Sequence, residues 1–168
     1  TQTKEEAAAK SAGCITCHTA SDAWTMHRTE AVMLGCTDCH GGNANIRLPS
    51  PSSDFDNPAY VALRDKAHVL PRYPKSWHWP SSANPQRSYT LLNRESPEFV
   101  RFVNPSDYRV VRDSCGACHI RTIEAAERSL MASGAMLWGG AGYNNGIVPF
   151  KNYVVGEAYT RAGEPAKI

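Results

Sequence analysis

Polar and alanine-rich residues open the chain in TKEEAAAKSAG, a helix-forming run that Gly13 is expected to stop. WTMHRTEAVML, residues 24–34, reads as a second helical stretch, and IRTIEAAERSLMAS, residues 120–133, as an amphipathic helix closed by Gly134. Between them the pattern changes. Nine of the eleven prolines fall between His40 and Cys115, which excludes long helices there. Two of these prolines look like helix starts, because Asn57 precedes Pro58 and Ser96 precedes Pro97, a capping side chain ahead of a proline at the first helical position. The spacing predicts helices over 58–67 and 97–103. The aromatics of this interval, Phe55, Tyr60, Tyr73, Trp77, Trp79, Tyr89, Phe99, Phe102 and Tyr108, lack the period-two alternation of a sheet. LWGGAGYNNGIVPF, residues 137–150, is turn-rich. The expected fold is therefore mainly α with extensive irregular loops and little or no sheet.

At 168 residues the chain suits one domain with a modest core. No apolar run approaches the roughly 18 residues of a membrane span. The formal charge of +2 is small and its basic residues are scattered, which argues against a nucleic-acid partner. The sequence begins at Thr1 with neither an initiator Met nor a charged-then-apolar leader, as expected of a chain whose secretory signal has been removed and equally of a trimmed fragment.

All six cysteines lie in one repeated pattern: CITCH at 14–18, CTDCH at 36–40 and CGACH at 115–119. Cys-x-x-Cys-His is the attachment signature of c-type haem, in which two thiols bond the vinyl groups and the adjacent histidine supplies the proximal iron ligand. Cys14, Cys17, Cys36, Cys39, Cys115 and Cys118 are thus the candidate attachment residues for three haem c groups, with His18, His40 and His119 as proximal ligands. Three other chemistries compete for these residues. A disulfide scaffold does not require a histidine after every second cysteine. Structural zinc closes with four ligands, and three such units leave an awkward ligand count. A thioredoxin-like pair expects one motif beside a βαβ unit, and this chain has three motifs without strand–helix alternation.

Three histidines remain, His27, His68 and His78, one for each iron. That arithmetic points to six-coordinate bis-histidine haems, which pass electrons and leave no position for a substrate. His78, in WHWP, is the weakest of the three, because it also reads as a packed aromatic. Met26, Met33, Met131 and Met136 are alternative axial ligands, although a helical methionine more often fills a core. Spacing does not assign a distal histidine to a haem.

Residues 19–35 form a short link between the first two motifs, so haems 1 and 2 are expected to be neighbours within 1–45. The proline-rich segment 46–104 follows, and 105–168 carries haem 3 and a C-terminal wrap. The fold is expected to be organised around stacked haems, with the aromatics packed on porphyrin. Between residues 60 and 114, nine Arg or Lys face five Asp or Glu, and some of these arginines are expected to pair with haem propionates. Three haems would add about six propionate and about three ferric charges, moving the net charge to about −1.

With its three motifs the chain resembles the multihaem c-type cytochromes. ESPEFVRFVNPSDYRVVRDSCGACH, then AMLWGGAGYNNGIVPFKNYVVGEAY, with CTDCHGG upstream, is similar to a segment of large exported multihaem cytochromes. The resemblance implies an exported protein, periplasmic, cell-surface or extracellular, that moves electrons in respiratory or extracellular transport between redox protein partners. Two other function classes stand beside this carrier reading. The chain could be a subunit or fragment of a larger haem-wire assembly, homo-oligomeric or mixed. It could also be a reductase with one open haem, which would require a five-coordinate iron and nearby acid–base groups. No Ser-His-Asp constellation, phosphate loop or carboxylate pair marks a rival site.

Overall fold

Our computed structural model describes residues 2–19, 27, 29, 31–52, 54–80, 83–129 and 144–146. Its helices are α1 (Lys4–Ala9), α2 (Cys14–Cys17), α3 (Cys36–His40), α4 (Pro58–Ala67), α5 (Pro97–Val103) and α6 (Val111–Glu127), with 3-10 turns at Pro74–Ser76 and Tyr89–Arg94. Among the described residues the only pairing of extended backbone is an isolated bridge between Trp77 and Pro85. The molecule is mainly helical, as the sequence pattern predicts. No described helix is long and apolar enough to cross a membrane.

Local capping chemistry sets the helix starts. In α1, Thr3 Oγ1 accepts from the Glu6 amide at 3.2 Å while the Glu6 carboxylate accepts from the Thr3 amide at 2.8 Å, a reciprocal capping box. Asn57 caps α4 by accepting from the Ala59 amide at 2.9 Å. Ser96 caps α5 by accepting from the Phe99 amide at 3.2 Å. Both helices begin on the proline and end where the spacing predicts.

Three expectations need correction. The first helix ends at Ala9, ahead of Gly13, whose φ of −77° is ordinary right-handed backbone. Gly13 is needed for close approach instead: its amide donates to the Ala44 carbonyl at 2.7 Å, and a Cβ there would overlap the Ala44 and Ile46 carbonyl oxygens. The second expected helix, 24–34, is not helical at His27 or across 31–34. Thr29 diverts the backbone, its hydroxyl accepting from Ala31 and its carbonyl from Val32, a turn that competes with helix. Finally, the helix expected at 120–133 begins nine residues earlier, at Val111, runs through CGACH with a kink at His119, and ends at Glu127. The expected Gly134 stop and the C-terminal wrap lie outside the described residues.

The apolar cluster among the described residues comes mainly from the proline-rich segment. Trp77, Leu91, Leu92, Phe99, Val100 and Val110 pack together, with Val69, Trp79, Ala83 and Val103 against them. The Cys-x-x-Cys-His turns lie outside this cluster, α3 packing against α5 and α6. Many large apolar side chains stay exposed, including Ile15 inside the first motif, Phe55 and Ile120 beside the third. These exposed side chains leave apolar area on the described surface for something else to cover.

Phe99 is fully buried between Trp77 and Trp79, with ring centroids 6.4 and 5.6 Å away. Phe99→Ala should therefore cost about 3–5 kcal/mol. Urea unfolding should register this as a lowered midpoint with an unchanged slope, and an unchanged midpoint would contradict the core assignment.

Candidate haem-attachment site

Each motif sits on a helical turn, and helical spacing puts the two cysteines of Cys-x-x-Cys, three residues apart, on one face. The second turn is the most firmly held. Its Cys36 amide donates to Ser11 Oγ at 2.9 Å and its Thr37 amide to the Lys10 carbonyl at 3.2 Å. The Asp38 carboxylate accepts from the Gly35 amide and Gln2 Nε2 at 2.8 Å each and pairs with Lys10 Nζ at 2.6 Å. Burial pushes the Asp38 carboxyl up, but these bonds outweigh it and hold the group below the usual carboxylate range. From the other side Arg101 of α5 donates to the Cys39 carbonyl at 2.9 Å and the Asp38 carbonyl at 2.5 Å, closing the orphaned carbonyls at the end of α3. Gly41 and Gly42, with φ of 68° and 77°, then turn the chain sharply away in a left-handed conformation that a side chain would strain.

Cys14, Cys17, Cys36, Cys39, Cys115 and Cys118 are all free thiols. The disulfide scaffold is absent from these six residues. Burial and the neighbouring Cys36 thiol push Cys14 up, and burial and Cys115 push Cys39 up. Motif 2 thus lies close to both motif 1 and motif 3. Tyr60 of α4 reaches Cys17, and burial followed by that thiol raises the phenol.

Four of the six histidines form two pairs. His18 and His68 have ring centroids 6.0 Å apart at an interplanar angle of 28°, and His27 and His119 have centroids 6.0 Å apart at 22°. Each pair joins a histidine that ends a Cys-x-x-Cys-His motif to one of the three spare histidines. An imidazole nitrogen binds a first-row metal at about 2 Å, and the ring centre lies about 1 Å behind it, so two imidazoles sharing one metal ion keep centres about 6 Å apart. Both separations fit that requirement. Among the described residues no three His, Cys, Asp or Glu side chains converge as a zinc site would demand. A macrocycle that brings its own four nitrogens needs only two protein ligands, and the pairs supply that number.

His68 is prepared for such a role. Its Nδ1 is buried and has no hydrogen-bond partner, an orphaned polar atom in an otherwise aromatic setting of Phe102 and Trp79. Burial, the adjacent His18 and Arg64 lower its pKa from 6.5 to about 4, so at neutral pH it is the uncharged imidazole that metals bind. His40 is exposed, and its Nδ1 lies 2.8 Å from the Phe102 carbonyl. A carbonyl only accepts, so the proton sits on Nδ1 and the Nε2 lone pair is left for a ligand, the usual orientation of a metal-bound histidine. Neither His40 nor His78 stands against another imidazole among the described residues. His78 is exposed while its neighbour Trp77 is 1% exposed, so the reading of His78 as a packed aromatic does not hold.

The residues that hold the turns were not visible in the motif alone. Arg101, one of the nine basic residues between 60 and 114, grips α3 carbonyls. Arg64 pairs with Asp65, Arg109 with Asp107, and Arg112 with Glu124 and Glu127. Of the methionines only Met33 lies in the described part, where its carbonyl accepts from Gln2 Nε2. Met26, Met131 and Met136 lie outside the described residues. Compared with known proteins, the chain matches no family model, no curated protein and no solved structure.

The depressed pKa of His68 has a definite sign. Between pH 6.5 and about 4 the unfolded chain carries the His68 proton and the folded chain does not. Stability from this group is complete above pH 6.5 and is lost as the pH falls towards 4. Urea unfolding at stepped pH should show this fall, and His68→Phe should flatten it. An equally steep fall in His68→Phe would contradict the assignment.

Proposed function

We propose that the protein is an exported electron carrier that binds three haem c groups through Cys14 and Cys17, Cys36 and Cys39, and Cys115 and Cys118. The observation that carries this reading is the pair of imidazole couples, His18 with His68 and His27 with His119, each at the spacing two axial ligands keep. When bound, haem supplies an iron that takes up and releases one electron. The chain's own residues attach, orient and screen it. His18 and His119 would be proximal ligands, His68 and His27 distal ones. With two imidazoles available to each of these haems, neither iron would be left open to a substrate, which suits a carrier better than an enzyme. His40 would be the proximal ligand of the middle haem, its ring fixed by Phe102. Redox proteins are the natural partners, since the attachment turns at Cys17 and Cys118 are exposed and would face a docked neighbour.

A second reading is favoured by one observation: neither imidazole couple includes His40 or His78. The middle haem would then have a distal ligand different in origin from the other two, as in a subunit of a larger haem-wire assembly, or an open position, as in a reductase.

The test combines a pyridine haemochrome count with carbon monoxide titration of the dithionite-reduced protein, produced in a host that attaches haem c. Three haems per chain are expected. His68→Ala and His27→Ala should each make about a third more of the haem absorbance responsive to carbon monoxide, and the double variant about two thirds. Absence of covalent haem would overturn the proposal. A wild-type protein in which one haem already responds would select the second reading.

A further inference from the structure

Glu95 is the only buried carboxylate among the described residues, at 7% exposure. It follows the 3-10 turn Tyr89–Arg94 and points into the segment between His68 and His78. There its Oε2 accepts from the Arg72 amide at 2.6 Å, and its Oε1 accepts from the Tyr73 amide at 3.0 Å and from Trp77 Nε1 at 2.9 Å. Three converging N–H groups ask for an acceptor-only group with two oxygens, which an ionised carboxylate provides and an amide does not. Apart from the 3-10 turn Pro74–Ser76 and the isolated Trp77–Pro85 bridge, no regular structure fixes this loop, and its amides at 72 and 73 and the indole of Trp77 are gathered on one side chain. The clamp passes its effect to His68 through a chain of rings: Trp77 touches Phe99 at 6.4 Å, Phe99 touches Trp79 at 5.6 Å, and Trp79 lies edge-on to His68 at 6.1 Å between ring centres. Arg94 lies over the Tyr73 ring at 4.5 Å and closes the same loop from outside.

We infer that Glu95 is a positioning residue for the axial histidine His68, holding the Trp77 to Trp79 segment that sets the orientation of the His68 ring against His18. The inference rests on the carrier reading above. Its consequence is directional. Glu95→Gln retains the volume, but its amide nitrogen must face at least one N–H donor, so the loop loses one anchor and gains a repulsive contact. Glu95→Ala loses all three anchors.

The experiment uses the intact haem-loaded protein. Haem content, the low-spin ferric electron paramagnetic resonance spectrum and the carbon monoxide response of the reduced protein are measured for wild type, Glu95→Gln and Glu95→Ala. Thr3→Ala, which removes the α1 cap and none of the Glu95 contacts, controls for general loss of stability. The expected result is three haems in every variant, a changed low-spin signal from one haem in Glu95→Gln, and a carbon monoxide response of about a third of the haem in Glu95→Ala that Thr3→Ala lacks. Three haems with wild-type spectra in both Glu95 variants would overturn the positioning role while leaving the carrier reading intact. The same would follow if Thr3→Ala reproduced the changes. A wild type without covalent haem would overturn the carrier reading and the positioning role with it.

Discussion

Everything distinctive about this chain depends on two imidazole couples that close large, overlapping loops. One couple ties residue 18 to residue 68 and the other ties 27 to 119, so the intervals interlock, and the second motif lies inside both. Closing loops of this length costs conformational entropy, and two aromatic rings 6.0 Å apart repay little of it through direct contact. An ion bridging each couple would repay it with coordinate bonds, in the way that metal binding becomes folding free energy in small metalloproteins. Among the described residues the packed apolar cluster is six side chains drawn from residues 77–110, none of them from the three motifs.

The second motif is the hub. Its thiols lie beside those of motif 1 and motif 3, and its helix contacts α5 and α6. It is also the turn with the most anchors, gripped by α1 through Lys10, Ser11 and Asp38 and by α5 through Arg101. On the proposed reading this fixes the middle haem against two neighbours, which is where rigidity matters most for passing electrons through three centres in sequence. The two histidine couples belong to the outer motifs, and the middle motif owes its rigidity to hydrogen bonds instead.

What could be read from the sequence was whatever is local. Asn57 with Pro58 and Ser96 with Pro97 fixed two helix starts because a cap and a proline act within one turn of backbone. The three Cys-x-x-Cys-His motifs are legible as motifs, since residue type and spacing are the whole signal. His27 stands against His119, but the apolar periodicity around it does not make a helix, because a single threonine turn at Thr29 outweighs it. The helix carrying the third motif began earlier than expected because the CGACH turn continues it instead of interrupting it. Which of the spare histidines stands against which motif is not legible, as it is decided by the path of the intervening chain. Glu95 was equally invisible: in sequence it is one acid in a basic stretch, and only the fold brings two amides and an indole N–H onto it.

Diffraction from crystals of the haem-loaded protein, with anomalous data collected at the iron edge, would test the central claim most directly. Three iron peaks are expected, one between His18 and His68, one between His27 and His119, and one beside His40. Iron bound to other pairs of side chains, or no iron at the two couples, would contradict it.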